Sequence, residues 1–429
     1  MRDDRRMASN DYDVIVAGGG SAGVAAAVGA ARTGARVLLV EAGPCLGGAA
    51  TLRNVTTYCG LWTQAEPPER AVAGVADEVL DELRRLDGVE GPVRSPSGYV
   101  IAVFDPEAAK LALDRVCARA GVSVLLHAMV TGARREDDRV TAVTVADHRG
   151  AHELTAAAFV DATGEGDLAF QAGASTRYGN HGTVQAGTLS VRIGGIAPDA
   201  DVSRDRWARA LNAATGTGDD TAADDTARVK ERGLVLRLPV SGDAVSYLVD
   251  VAYDATDSWD ISRAEARGRA LARELLAAVR TIPGHERAYI ACTGPHLGTR
   301  ESRHVDARYR LTEADVTGGA SFDDSVALGA WPIEYHPGPG RPDVWRPVGG
   351  GGAYGIPLRA LHSVDTANLF AAGRLADADS LAGGSLRVMG TAFATGHAAG
   401  VAAAVLADTA RTDPTAVKRH LLAQNARLT

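Results

Sequence analysis

Near its start the sequence places an apolar strand, a glycine-rich turn, an alanine-rich helix and a second apolar strand in direct succession. The first strand is 13–17, the second is 37–40, and an acid, Glu41, follows the second strand. The turn between the first strand and the helix reads Gly18-Gly19-Gly20-Ser21-Ala22-Gly23. This order of elements is typical of a βαβ unit of a parallel sheet.

Each glycine of this turn has a distinct task in holding a dinucleotide. Gly18 makes the tight turn, Gly20 lets the backbone approach a pyrophosphate, and Gly23 lets helix and strand pack closely. The helix N-terminus offers free N–H groups to the phosphates, and Glu41 can accept hydrogen bonds from the ribose hydroxyls. The pattern therefore predicts a dinucleotide-binding unit.

Length and composition exclude several classes of protein. With 429 residues and 46% hydrophobic residues, the chain can form two or three packed domains. A net charge of -8 without a dense basic stripe argues against nucleic-acid binding. The start of the chain is charged, with no apolar run behind it, and the apolar tracts are short. We expect no signal peptide, no membrane span and a cytoplasmic location.

The four cysteines are far apart and form no CxxC pair. Their spacing matches neither a zinc site nor a redox-active dithiol, and no His, Cys or Asp cluster has ligand spacing, so no metal site is predicted. Cys45 and Cys59 are predicted to be structural, although a flavin tether or a mutual disulfide is the alternative reading.

The remaining periodicity divides the chain into three parts. A short helix is predicted within 67–90, and a longer one starts at Pro106 behind the N-cap Asp105 and ends near residue 120. Strands are predicted at 122–130, 139–146, 151–154, 157–160, 188–193, 234–238, 245–253 and 368–372. Helices follow at 263–280, with a capping box of Ser262 and Glu265, and at 390–406, and a polar loop is predicted at 214–228.

The predicted fold class is α/β. A discontinuous Rossmann-like domain, 10–174 and 346–429, would bind the dinucleotide, because strand–glycine–helix patterns occur at both ends of the chain. The segment 175–345 lacks βαβ rhythm and is predicted to be an inserted α+β substrate domain.

Several distant motifs together resemble FAD-dependent oxidoreductases of the two-dinucleotide-binding-domain class, related to fumarate and glutathione reductases, and are closest to a bacterial subfamily. Besides the opening turn they are 46–51 (LGGAAT), 161–169 (DATGEGDLA), 300–303 (RESR), 309–315 (YRLTEAD), 334–336 (EYH), 372–374 (AGR), 385–391 (SLRVMGT) and 396–400 (GHAAG). Two positions depart from the subfamily pattern: Glu165 replaces an Asp, and His397 replaces a Gln. The second change is either a harmless surface swap or an altered contact.

The resemblance implies FAD as cofactor and assigns residues to it. The turn 162–164 would close over the adenosine half, Val130 would contact adenine through its backbone, and the loop at Gly47 and Gly48 would pass under the ribityl or isoalloxazine part. A helix beginning near Arg387 would point its positive end at the flavin. The predicted cofactor residues are Gly18, Gly20, Ser21, Ala22, Gly23, Glu41, Ala42, Gly47, Gly48, Ala49, Thr51, Val130, Ala162, Thr163, Gly164, Gly373, Arg374, Arg387, Val388 and Met389.

Two residues are predicted to be catalytic. His336 could transfer a proton or donate a hydrogen bond to substrate, since histidine titrates near neutral pH, or it could be an ordinary loop histidine. Arg300 could orient a charged substrate or stabilise reduced flavin, or it could form an ion pair with Glu301, Asp306 or Glu313. The residues predicted to contact substrate in the same inter-domain cleft are Arg303, His304, Glu334 and Tyr354.

These features predict an oxidoreductase that moves a hydride between a small organic substrate and flavin N5. The alternatives are a flavin-dependent monooxygenase and a non-catalytic FAD-binding protein. A dedicated nicotinamide domain would need a second strand–GxGxxG–helix, and the glycine-rich stretches at 338–340 and 349–352 lack the strand and the helix. The sequence therefore argues against an enzyme like glutathione reductase. The predicted partner is a small-molecule substrate, and the sequence does not predict the oligomeric state.

Overall fold

A five-stranded parallel sheet is built from both ends of the chain, in a computed structural model that describes residues 12–95, 97–215, 227–230, 233–339 and 341–429. Its strands are β1 (Val14–Ala17), β2 (Val37–Val40), β6 (Ser123–Leu125), β10 (Ala158–Asp161) and β22 (Leu369–Ala371). Their order is β22-β10-β1-β2-β6, so the last strand of the chain lies beside β10. The predicted α/β class and the discontinuous Rossmann-like sheet are confirmed.

The predicted strand 122–130 is confirmed only over Ser123–Leu125 and is wrong beyond it, because the chain turns there. His127 has a φ of +55°, in the left-handed region that a strand cannot contain. The backbone N–H groups of His127 and Ala128 donate to Gly43 and Glu41, which turns the chain away from the parallel sheet. A three-stranded antiparallel sheet follows, formed by β7 (Met129–Glu136), β8 (Arg139–Asp147) and β9 (Gly150–Thr155).

Two small-residue helices pack directly behind the parallel sheet. They are α1 (Ser21–Arg32) and α9 (Met389–Thr409). A Cβ atom on Gly396 or Gly400 of α9 would lie 2.0 Å or 1.9 Å from a backbone oxygen of α1, so this close packing requires glycine. By length and hydropathy α9 is the one candidate membrane span in the described chain, but 94% of its apolar window is buried inside the protein. It is a core helix.

The remaining helices of the first part follow the sequence closely. They are α2 (Val75–Arg85) and α3 (Pro106–Ala120). The predicted cap of α3 is present, since Asp105 accepts hydrogen bonds from the N–H groups of Glu107 and Ala108 at 2.9 Å and 3.1 Å. Beside them lies a three-stranded sheet formed by β3 (Thr57–Cys59), β5 (Val100–Phe104) and β4 (Val89–Arg94).

A second, antiparallel five-stranded sheet lies in the predicted substrate domain. Its strands are β12 (Gly187–Gly194), β13 (Ala227–Val229), β14 (Val235–Arg237), β15 (Ala244–Val251) and β16 (Tyr289–Thr293), packed against α5 (Arg204–Thr215) and α6 (Ser258–Val279). The predicted capping box of Ser262 and Glu265 is wrong. The N-cap of α6 is Asp257, and the Ser262 hydroxyl donates within the helix to the Ser258 carbonyl. Most of the predicted loop 214–228, like the charged start of the chain, lies outside the described residues.

Short elements connect these layers. The strand pairs are β11 (Thr176–Tyr178) with β17 (Arg303–Val305), β18 (Ser325–Gly329) with β21 (Tyr354–Pro357), and β19 (Ile333–Tyr335) with β20 (Val344–Arg346). The short helices are α4 (Asp167–Gln171), α7 (Glu313–Gly318), α8 (Ser380–Leu386), α10 (Pro414–Ala423) and the 3-10 turns Leu358–Ala360 and Gly373–Leu375. The pairing of β18 with β21 crosses the predicted domain boundary at residue 345. The boundary itself stays a prediction.

Candidate functional site

A cavity of about 1050 Å³ starts at the carboxyl ends of the parallel strands and extends to the antiparallel sheet. Gly18, Glu41 and Ala162 line it, and each directly follows one strand of the parallel sheet. Ligand pockets have volumes of roughly 300 to 1,000 Å³, so this cavity is large enough for a dinucleotide and a small second ligand. Its position is the one that ligands take in open α/β sheets.

The three glycines of the opening turn differ in what surrounds them. A Cβ on Gly18 would lie 2.4 Å from the Ala162 oxygen, and one on Gly23 would lie 1.7 Å from the Gly18 oxygen. A Cβ on Gly20 would meet nothing in the described chain closer than the Gly48 Cα, at 3.9 Å. Gly18 and Gly23 therefore permit the backbone packing, whereas the missing side chain of Gly20 leaves space on the cavity wall.

Glu41 occupies the position predicted for a ribose ligand, but its carboxylate also holds the loops around it. Its Oε2 accepts from the Gly19 N–H and its Oε1 accepts from the Gly43 N–H, each at 2.6 Å. The side chain still lines the cavity. Each carboxylate oxygen has a second lone pair, so Glu41 can accept a ribose hydroxyl while it holds both amides.

Most of the predicted cofactor residues share this one cavity. Those that line it are Gly18, Gly20, Ser21, Ala22, Glu41, Ala42, Gly48, Ala49, Val130, Ala162, Thr163, Gly164, Gly373, Arg374, Arg387, Val388 and Met389. Three do not, namely Gly23, Gly47 and Thr51, and the structure gives each a packing task. Gly47 donates its N–H to the Gly19 carbonyl, and the Thr51 hydroxyl donates to the Leu46 carbonyl. A direct cofactor contact is therefore not supported for these three.

Two helix N-termini lie at the cavity, and one of its lining residues has an unpaired guanidinium nitrogen; together they fit FAD. Neither α1 nor α9 has a side-chain cap, and their first residues line the cavity. Arg387 donates from Nη2 to the Glu334 carbonyl, but its buried Nε has no hydrogen-bond partner among the described residues. Burial also lowers the Arg387 pKa. Helix N-termini and an unsatisfied donor both favour anionic or acceptor groups of a ligand.

The predicted catalytic histidine lies between two carboxylates on the cavity wall. His336 Nδ1 is 2.7 Å from Asp343 Oδ1, and its Nε2 is 3.1 Å from Glu334 Oε1. Burial acts to raise the pKa of both carboxyls, but His336 outweighs it together with other groups, which are Arg387 and Trp331 for Glu334 and Lys230 for Asp343. The pKa of Asp343 falls to about 2, and that of Glu334 falls well below its usual range. Both acids are therefore ionised at neutral pH.

A lysine that the sequence pattern did not single out completes this cluster. Lys230 Nζ lies 3.1 Å from His336 Nδ1, 3.1 Å from Asp343 Oδ1 and 2.9 Å from Asp250 Oδ2. Arg300 lies next to it, with Nη1 2.6 Å from the Ala186 carbonyl and 3.4 Å from Asp250 Oδ1. The ion-pair alternative for Arg300 is therefore present, but with Asp250 and not with the predicted acids. Lys230, Arg300, Glu334, His336 and Asp343 all line the cavity.

Three residues predicted to bind substrate lie outside the cavity lining, so direct substrate contact is not supported for them. Arg303 donates to the Glu165 carbonyl and lies over the Phe170 ring. His304 is 2% exposed, with its ring nitrogens 3.1 Å from Glu301 and from the Ala376 carbonyl. Tyr354 is buried in the core, and its hydroxyl bonds to Ser385. Arg303 and His304 are neighbours on β17 and point to its opposite faces, and neither side chain lines the cavity.

Glu165 and His397, the two residues that depart from the subfamily pattern, each contact other side chains. Glu165 forms ion pairs with Arg374 at 2.5 Å and Arg53 at 3.4 Å, and their charges lower its pKa against the effect of burial. His397 is 2% exposed, so the surface reading is wrong. Its Nε2 bonds to Gln424 at 2.7 Å, which ties α9 to the C-terminal segment.

An aromatic wall is the other part of the site that the sequence pattern did not reveal. It consists of Tyr99, Trp331 and Trp345, which line the cavity from three separate segments. No short motif connects them, so only their position in the fold identifies them. All four cysteines are free, including Cys45 and Cys59.

The chain is similar to a known protein family in sequence and to solved structures in fold. The sequence model described as FAD dependent oxidoreductase matches residues 13–425. No curated protein sequence matches the chain. Among solved structures, a p-nitrophenol 4-monooxygenase from Pseudomonas putida DLL-E4 is similar with a TM-score of 0.52 and 11% identity over 97% of this chain and 85% of that chain. A geranylgeranyl bacteriochlorophyll reductase-like protein from Thermoplasma acidophilum has a TM-score of 0.50 and 14% identity over 98% and 85%.

At these identities the structural neighbours show the fold alone, and the bacterial subfamily stays a prediction. The family match covers nearly the whole chain, from the opening strand to the residues that follow α10. It agrees with the glycine turn, the two helix N-termini and the large cavity, and it identifies the cofactor as FAD. The chain belongs to the family of FAD-dependent oxidoreductases.

Proposed function

We propose that the protein transfers a hydride between a small organic substrate and FAD, with the substrate bound beside His336. The observation that supports this most directly is the buried imidazole between Glu334 and Asp343, on the wall of the cavity that also contains the glycine turn. FAD, when bound, accepts or donates the hydride at its N5 atom.

The residues around His336 fit a proton-transfer role. Oxidation of a substrate C–H next to a hydroxyl or amine removes a hydride and also a proton, and the proton needs an acceptor. The imidazole can take that proton, and the resulting imidazolium would lie between the carboxylates of Asp343 and Glu334. In the reverse direction the imidazole returns the proton to the substrate. Both directions use the same geometry.

In this proposal Arg300 positions the substrate, and Lys230 positions the side chains of Asp343 and His336. Both are held by Asp250, which is 1% exposed. Buried carboxylates fix the directions of the cations they pair with, so the two cations have defined places on the cavity wall. Arg300 would orient the polar group of the substrate, and Lys230 would keep the side chains of Asp343 and His336 in contact with each other.

The test is anaerobic reduction of the purified, yellow protein by a panel of alcohols, amines and hydroxylated aromatic compounds. Loss of flavin absorbance without another reductant supports hydride transfer from substrate. Bleaching only by NAD(P)H, with oxygen incorporated into product in air, would instead indicate the monooxygenase. If no compound or reductant produces turnover, the non-catalytic reading is favoured and the proposal fails.

A further inference from the structure

The end of the cavity away from the glycine turn has an aromatic wall, defined as Tyr99, Trp331 and Trp345. The Tyr99 and Trp345 rings are stacked, with centroids 4.8 Å apart and planes at 12°. The Tyr99 and Trp331 centroids are 5.3 Å apart. Trp331 is buried, whereas Tyr99 and Trp345 are only partly buried and line the cavity. Part of two flat rings is therefore open to a ligand.

This aromatic wall joins the polar cluster through a single side chain. Trp331 Nε1 donates to Glu334 Oε2 at 2.9 Å, while Glu334 Oε1 lies 3.1 Å from His336 Nε2. The rings pack against an apolar cluster that includes Ile101 and Val388. A ligand that lies against the rings would thus have its edge near the proton-transfer group.

The charges at this end of the cavity are already balanced. The cations Lys230 and Arg300 share Asp250, and Lys230 also pairs with Asp343. With Arg387 and Glu334 included, three cations face three carboxylates. With the His336 imidazole neutral, these charges leave no net positive charge for an anionic ligand, which would also have to approach ionised carboxylates at a cost in free energy.

We infer that the aromatic wall binds a substrate with a planar aromatic ring and an uncharged hydrogen-bonding group on a carbon attached to that ring, such as a benzylic hydroxyl, and not an organic acid. The inference rests on the proposed function for the reaction itself. The substrate ring stacks on the face of Trp345 that Tyr99 leaves uncovered, and its polar group reaches His336. Aromatic stacking adds affinity beyond the area it buries.

Equilibrium dialysis with the FAD-loaded protein tests this with three matched probes: 2-naphthol, 2-naphthoate and decahydro-2-naphthol. They share a skeleton and differ in charge or in planarity. We expect 2-naphthol to bind about tenfold more tightly than either of the others, near the upper end of what an aromatic pair contributes. Equal binding of the saturated alcohol, tighter binding of naphthoate, or no binding of 2-naphthol would each overturn the inference.

Variants locate the binding. Trp345→Leu should weaken 2-naphthol binding about tenfold, and Trp345→Phe should restore most of it because a stacking ring remains. Trp259→Leu is the control, since Trp259 is 78% exposed on α6 and outside the cavity lining. Unchanged binding by Trp345→Leu would contradict the proposed place. Failure of the two proposals is distinguishable, because a non-aromatic compound that bleaches the flavin sinks this inference and keeps hydride transfer.

Discussion

His336 Nδ1 lies 2.7 Å from Asp343 Oδ1, and the same imidazole has a second carboxylate, Glu334, at its other nitrogen. A histidine held in this way has its ring orientation fixed by both partners. It can also carry a positive charge without leaving it unpaired, as a group that accepts a substrate proton must.

His336→Ala should lower turnover by about two to four orders of magnitude, the usual contribution of a general acid or base. Its pH dependence should flatten, while FAD stays bound. The measurement is kcat against pH. His152→Ala is the control, because that half-exposed side chain lies on β9 of the three-stranded antiparallel sheet. Near wild-type turnover at every pH would show that His336 is only a loop residue.

Asp343→Asn should reduce kcat about tenfold, because an imidazolium would lose one hydrogen-bonded carboxylate. Since the pKa of Asp343 is lowered to about 2, this carboxyl stays ionised over the working pH range, and the pH profile of the wild type does not report it. Asp323→Asn, on an exposed loop, is the matched control. Retained kcat in Asp343→Asn would remove Asp343 from the proton-transfer proposal.

Gly20→Val should fold but fail to hold FAD. A side chain there meets nothing nearby in the described chain, so it would extend into the space on the cavity wall. Gly23→Val should fail to fold, because its Cβ would lie 1.7 Å from a backbone oxygen. Flavin absorbance and circular dichroism separate the two outcomes, and the exposed Gly351→Val should be yellow. A yellow Gly20→Val would mean that the pyrophosphate does not pass this glycine.

Arg300→Ala should raise KM by roughly tenfold or more, the value of one hydrogen bond to a charged group, with a smaller effect on kcat. Arg303→Ala should leave KM unchanged, because that side chain is bonded to the Glu165 carbonyl outside the cavity lining. Steady-state kinetics of both variants with one substrate compares them directly. A larger KM effect for Arg303→Ala would reverse the assignment made from the structure.

His397 should make the protein less stable in mild acid. Burial lowers its pKa to about 4 in the folded state, so between the ordinary histidine pKa of 6.5 and that value the unfolded chain binds a proton that the folded chain does not. The free energy of unfolding then falls as pH falls through this window, by roughly 1.4 kcal/mol for each pKa unit of difference. Buried His362, whose pKa is also lowered to about 4, adds to the same effect.

Urea unfolding at several pH values checks this. His397→Gln should lose less stability between neutral pH and mild acid than the wild type, since one of the two imidazoles whose pKa is lowered to about 4 is gone. His181→Gln, at an exposed turn, should behave like the wild type. An unchanged pH dependence in His397→Gln would contradict the assigned role.

Local sequence was sufficient for the dinucleotide-binding unit and for most of the elements around it. The turn at Gly18 and Gly20, the cap at Asp105 and the acid at Glu41 act over a few residues, so their spacing alone predicts backbone shape. Where a local pattern failed, as at Ser262, a better cap lay a few residues upstream at Asp257. The strand 122–130 failed because its turn at His127 is fixed by hydrogen bonds to the loop after β2.

The substrate end of the cavity was decided only by the tertiary structure. Lys230 meets Asp343 across 113 residues of chain, and Tyr99, just before β5, stacks on Trp345 of β20. His304 shows the same limit in reverse, since strand alternation turns it into the core although it lies beside a family motif. Sequence determined the cofactor-binding turn because backbone conformation depends on near neighbours. The pairing of distant side chains depends on strand register and packing, which no spacing along the chain encodes.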